Sequence, residues 1–311
     1  MKGKKSLVLL VLVVFTIHIS GCVIQLADPG SQPQPGPKLQ VVFPEKNLRD
    51  YIRLARQGAT DLDSLYWENV LGPIQMQLDQ ANSSIQIEDY HQTIYNLDEL
   101  EFALDQLKDV DVTRIVKTAL HRSNDYIQGV DYTVYIIPCN PADDFTRDKM
   151  RGVRGISGLT CGNSIIAINP LGQGWQETLP YVAAHEYYHV IWSARNVRRW
   201  EGDVLGVLVM EGKADAFANI VYPGLAVLWT HSLPTNREDQ IWRSLQEHLD
   251  STDLNFAKEL TQDEYWSGYA IGYHIVQVFM YNHPDVSIDQ WTDMSSKDIL
   301  DDSGYEEWLA N

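Results

Sequence analysis

The sequence predicts an α+β fold that is mainly helical, with one small β-sheet packed on a long helix. Three observations predict it. Apolar residues recur at helical spacing through most of residues 43–128 and again after Thr178. Two short β-branched and aromatic runs, YTVYIIP (Tyr132–Pro138) and SIIAIN (residues 164–169), lie between those regions. Residues 151–162 join the two runs and are rich in glycine, which suits a loop or a twisted hairpin. A few strands set between blocks of helix make an α+β domain. With 311 residues, 44% of them apolar, the chain can bury a sizeable core.

The first segment reads as a leader. Lys2, Lys4 and Lys5 precede an apolar run over residues 7–17. That order is the pattern of a secretory signal, and the run falls short of the ~20 residues that span a bilayer. Ile19-Ser20-Gly21-Cys22 resembles the bacterial lipobox. The resemblance implies loss of residues 1–21 and a lipid on Cys22. Acyl chains, at about 0.8 kcal/mol per buried methylene, then hold the protein on a membrane without a spanning helix. The expected location is the bacterial cell envelope, lipid-anchored and outside the cytoplasm. Residues 22–40 read as a tether, because proline, glycine and glutamine dominate residues 27–40. Without the three leader lysines, 21 basic residues face 42 acidic ones, a net charge of −21. Such a surface is unsuited to nucleic acid and is repelled by anionic headgroups.

Residues 41–130 are expected to form a helical layer, and residues 131–311 the region that carries the chemistry. Leu48, Ile52 and Ala55 share one helical face. Asn96 with Glu99 matches an N-cap and its partner, ahead of Leu97, Leu100, Leu104 and Leu107 at helical spacing. Ile115, Val116, Ala119 and Leu120 continue the pattern. Residues 84–88 (SIQIE) alternate like a strand.

The central motif is His185-Glu186-Tyr187-Tyr188-His189. Thr178 is the expected helix cap, with Pro180 in the first turn. Residues four apart lie on one helical face, so His185 and His189 can hold a single zinc ion. Glu186, beside the first ligand, can act as general base toward a water that the zinc activates. A catalytic zinc takes a third protein ligand and keeps a position open. The metzincin completion fails, since Trp192 and Arg195 stand where glycine and histidine are needed. Met210-Glu211-Gly212-Lys213-Ala214-Asp215 lies on a second apolar helical stretch, with Glu211 and Asp215 on one face. This resembles the gluzincin arrangement of thermolysin-like peptidases. The resemblance implies Glu211 as third ligand and Asp215 as the acid that orients a ligating histidine, with Asp203 and Glu201 in reserve.

A wider resemblance covers about residues 131–282. A GxxGLTxG-like stretch (residues 155–162), HExxH, EGxAD and a GYxIGY-like helix together resemble the bacterial YjaZ-type family of predicted zinc-dependent proteases. It implies a zincin-like fold, a zinc cofactor and a peptide or protein substrate. Gluzincins often place a tyrosine or histidine across the cleft to stabilise the oxyanion. Tyr269 is the first candidate here, followed by Tyr273 and His274.

Export permits a disulfide, and Cys139 and Cys161 are the candidate pair. Two other functions fit part of the pattern. A di-iron carboxylate site would use Glu186 with His189 and Glu88 with His91, but further carboxylates lack clear positions. A non-catalytic surface lipoprotein with a structural metal would need no base at Glu186 and would usually close its site with a fourth ligand.

Overall fold

The computed structural model describes residues 36–159, 162–200, 202–253 and 266–310. Four strands form one mixed sheet in the order β1-β2-β4-β3. β1 (Leu39–Val42), β2 (Tyr132–Pro138) and β4 (Asn163–Ile168) run parallel; β3 (Val153–Ser157) runs antiparallel to β4 at the edge. The glycine-rich stretch thus contributes β3, which pairs antiparallel with β4 as the hairpin that the sequence allowed.

Alternation along the central strands divides the core into two. Tyr135, Ile137, Ile165 and Ala167 face α1 (Glu45–Arg56), α3 (Gly72–Gln80) and α4 (Leu97–Val110). Val134, Ile136, Ile166 and Ile168 face α5 (Val112–Tyr126) and α6 (Trp175–Asn196). α2 (Leu62–Tyr66) leads into α3 through a wider helical turn. The Asn96 cap forms as expected, accepting from the Glu99 amide. Asp111 turns the chain from α4 into α5 in the left-handed region and caps α5 through the Arg114 amide.

α6 begins a turn earlier than the sequence predicts. Gly174, at φ +83°, starts it, so Thr178 lies inside the helix and donates its hydroxyl to the Gly174 carbonyl. Pro180 is interior too. α7 (Val204–Val221) packs on α6 and is capped by Asp203, whose carboxylate accepts from the Gly206 amide. That role takes Asp203 out of the ligand reserve. α8 (Thr235–Leu245) follows. α9 (Ser267–Asn282) then lies against α7, with α10 (Ile288–Asp293), α11 (Ser296–Ser303) and α12 (Tyr305–Leu309) closing the far side. Among the described residues, no helix is long and apolar enough to cross a membrane.

Two local expectations differ. Residues 84–88 form no strand; Ile85 and Ile87 are buried, and the Gln75 amide bonds the Ile85 carbonyl and the Ile87 N–H in place of a neighbouring strand. β1 falls where the proline-rich segment ends, held by β2 and by the Lys38 amide donating to Asp131.

Candidate metal centre

α6 brings His185 and His189 to one face, and α7 brings Glu211 opposite them. The ligand atoms of the three side chains all lie within 4.8 Å of one another. Glu211 Oε2 stands 3.4 Å from His185 Nε2 and 3.3 Å from His189 Nε2, and the two imidazole nitrogens are 2.9 Å apart. Ligand atoms around a tetrahedral zinc, at bonds of about 2.0–2.1 Å, sit roughly 3.3 Å from one another. Both separations from Glu211 match, and the imidazole pair is somewhat closer. Burial works against charge on Glu211, but with no cation bound the positive charge of protonated His189 and His185 overcomes it and holds its carboxyl well below the ordinary range, a pull that a bound cation would exert in place of those protons. It therefore offers an anionic oxygen.

Asp215 sets the orientation of the first ligand. It is fully buried, and its Oδ1 accepts from His185 Nδ1 at 3.1 Å, Tyr181 OH at 3.1 Å and Trp229 Nε1 at 2.9 Å. With Nδ1 giving its proton to Asp215, the neutral ring presents a lone pair at Nε2. That lone pair, a carboxylate oxygen and the second imidazole converge on one point, which is a donor set for a cation. Among the described residues, Asp215 Oδ2 has no hydrogen-bond partner. A buried, half-satisfied carboxylate is costly unless positive charge lies close, and a cation on the far side of His185 would supply it. The residues present therefore fit zinc, as two histidines and a glutamate with a position left over. Among the described residues, no fourth ligating side chain joins the group.

Replacing Asp215 with Asn should weaken zinc affinity about 10–100-fold, the usual effect of removing a partner of a ligating histidine. Competition with a chromogenic chelator measures this. An affinity within a factor of about two of the parent would refute the orienting role.

Glu186 is almost completely buried and does not join the ligand group. Burial pushes its carboxyl up, while His185, His189 and a hydrogen bond from Ser157 restrain the rise. Tyr269, half-buried on α9, lies within electrostatic reach of Glu211, Asp215 and Glu186; burial and those three charges raise its phenol well above the ordinary value, so it stays a donor. Tyr273 lies tilted against His231, with ring centroids 6.0 Å apart, and burial with Asp215 pushes its phenol up to about 12. His274 faces elsewhere: its Nδ1 donates to the buried Glu238, which also accepts from Tyr305. Lys213, between the two acids of the motif, is buried and donates to the Met294 carbonyl beyond α10.

His91 is buried against Tyr66 and is not part of the metal group. Cys139 is buried and has no disulfide partner among the described residues. Its candidate partner Cys161 lies outside the described residues, as do Cys22 and Glu201. Sequence reasoning missed three residues around the site: Ser157, Tyr181 and Trp229. Tyr181 had a legible signal, since it precedes His185 by four and shares its face. Ser157 and Trp229 arrive through tertiary folding alone.

Searches among curated proteins and solved structures found no match. A family model described as "Predicted Zn-dependent protease (DUF2268)" matches residues 112–301, more than half of the chain. The match opens at the first residue of α5 and takes in the sheet strands β2–β4, the HExxH helix and α7, so it spans every candidate ligand. By that match, the chain belongs to the family of predicted Zn-dependent proteases.

Proposed function

We propose that the protein is a zinc metallopeptidase that hydrolyses peptide bonds outside the cytoplasm, held to a bacterial membrane by a lipid on Cys22. One observation carries the catalytic part. His185, His189 and Glu211 converge on one point, while Glu186, a neighbour of the first ligand, stays out of the ligand set. A structural site has no use for such a carboxylate; a hydrolytic one needs it as base. Zinc, when bound there, supplies Lewis acidity and lowers the pKa of a water. His185 and His189 would hold the ion, with His185 fixed by Asp215, and Glu211 would add the anionic ligand. Glu186 receives the proton of the attacking water and passes it to the leaving amine. Tyr269, kept protonated, is the candidate donor to the oxygen that gains charge. The lipid anchor is supported by the basic start, the apolar run and the lipobox-like Ile19-Ser20-Gly21-Cys22.

Peptide hydrolysis by the purified chain tests this reading, with a mixture of unrelated peptides as substrate. Cleavage should stop after dialysis against a chelator and return with about one equivalent of zinc per chain. A soluble form has to retain β1, which begins at Leu39. Cleavage that survives complete zinc removal would sink the proposal.

A further inference from the structure

β3 is the edge strand of the sheet, and it packs against α6. Gly155 and Ser157 are two apart and so share a face of that strand. Both meet Glu186. A Cβ at Gly155 would lie 2.3 Å from Glu186 Oε1 and 2.5 Å from its carboxyl carbon, so glycine there makes the room that the side chain occupies. Ser157 Oγ donates to Glu186 Oε2 at 2.6 Å and also lies 3.1 Å from the Glu186 carbonyl.

The proton count behind Ser157 runs in one direction. The Tyr132 phenol donates to Ser164 Oγ at 2.7 Å. Ser164 Oγ and Ser157 Oγ are 2.6 Å apart. A serine hydroxyl has one proton. With Ser164 accepting from Tyr132, its own proton goes to Ser157, and Ser157's proton goes to Glu186. Tyr132 and Ser164 are buried at 1% and 0% exposure, so water does not compete for these bonds. Three strands, β2, β4 and β3, thus each give one hydroxyl to a chain that ends on the carboxylate of α6. Buried hydroxyls more commonly satisfy nearby backbone carbonyls; here the series terminates on one oxygen of a single acid.

We propose that Ser157 is a positioning residue for Glu186, backed by Ser164 and Tyr132, with Gly155 as the space that admits the carboxylate. The inference rests on Glu186 being the base. Pinning Oε2 removes the rotation of the carboxyl group, and it leaves Oε1 as the oxygen that exchanges the proton. It also gives the glycine-rich stretch a task beyond turning the chain, since a side chain at residue 155 would expel the base and an apolar one at residue 157 would let it swing.

The test compares zinc-loaded parent, Ser157→Ala, Ser157→Thr and Tyr132→Phe forms of the full chain. A misplaced catalytic group costs up to about 10²-fold. Ser157→Ala is therefore expected to lose about 10–100-fold in kcat, with KM and zinc content unchanged. Ser157→Thr, which keeps the hydroxyl, should recover most of that loss. A Ser157→Ala form with the parent's kcat overturns the proposal, and so does a loss that Thr fails to restore. If Ser157→Ala does not fold, Tyr132→Phe decides: a fall in kcat at constant KM supports the chain of donors, and an unchanged kcat overturns it. Should the parent show no zinc-dependent cleavage, the metallopeptidase reading has failed by itself. The crystal structure of a folded variant then judges the positioning, since a Glu186 carboxylate in several orientations supports it and a single unmoved one overturns it.

Discussion

Glu186→Gln is expected to lose about 10²–10⁴-fold in kcat while binding zinc as tightly as the parent. The range is what a positioned general base contributes, and the separation of the two readouts follows from the geometry. Glu186 is not among the three converging ligands, so its charge is not needed to hold the ion. Glutamine has the same shape, and its carbonyl oxygen can accept the Ser157 hydroxyl as the carboxylate does. What it lacks is basicity. Stability should not suffer either. Burial raises the folded pKa of Glu186 above its unfolded value, so this group favours folding when protonated, and its ionisation as pH rises works against folding. A neutral amide removes that cost near pH 7, and the melting temperature should hold or rise. Kinetics, zinc titration and calorimetry on one preparation check all three statements. A fully active Glu186→Gln protein would remove the base from the mechanism. Loss of zinc together with activity would instead place Glu186 in the ligand set.

Legibility followed sequence distance. His185, Glu186 and His189 were readable because a helix converts spacing four into a shared face, with no knowledge of the rest of the chain. Glu211 and Asp215 obeyed the same rule on α7. That α7 lies across α6 came from a resemblance, since no local pattern fixes how two helices cross. The hydroxyl chain was not readable. Ser157, Ser164 and Tyr132 belong to three strands, and only the register that sets Ser157 against Ser164 brings them together. Trp229 was hidden for the same reason: its indole reaches Asp215 from a short turn beyond α7. The two errors of secondary structure have equally physical causes. Alternation at Ile85 and Ile87 reports that both are buried, and Gln75 meets the backbone groups that a neighbouring strand would otherwise meet. Threonine is a good cap, so the sequence points to Thr178 as the start of α6, but Gly174 supplies the left-handed turn one helical turn earlier.

Gly212→Ala is expected to destabilise the fold by about 1–3 kcal/mol or more, the cost of forcing extra volume into a packed core, although alanine is the better helix former by about 0.8–1 kcal/mol. The sign is set by what the methyl group meets. A Cβ at Gly212 would lie 2.0 Å from the Gly272 carbonyl oxygen and 2.8 Å from the Tyr273 amide nitrogen. In return, a Cβ at Gly272 would lie 1.9 Å from the Leu208 carbonyl oxygen. α7 and α9 therefore touch backbone to backbone, and no rotamer change can clear the space. The helices have to separate. α7 carries Glu211 and Asp215, and α9 carries Tyr269, so separation also shifts a zinc ligand against the histidines of α6. Gly212→Ala should thus lower zinc affinity as well as the melting temperature, by roughly 2–4 °C per kcal/mol for a chain of this size. Gly268→Ala is the control. It lies on the same helix α9, but its Cβ would meet the Leu208 Cδ2 atom at 3.3 Å, the flexible end of a side chain. That variant should be close to neutral in stability and zinc binding. Equal melting temperatures for the two variants would show that the crossing of α7 and α9 has slack, and the placement of Glu211 would then have to depend on contacts other than this one.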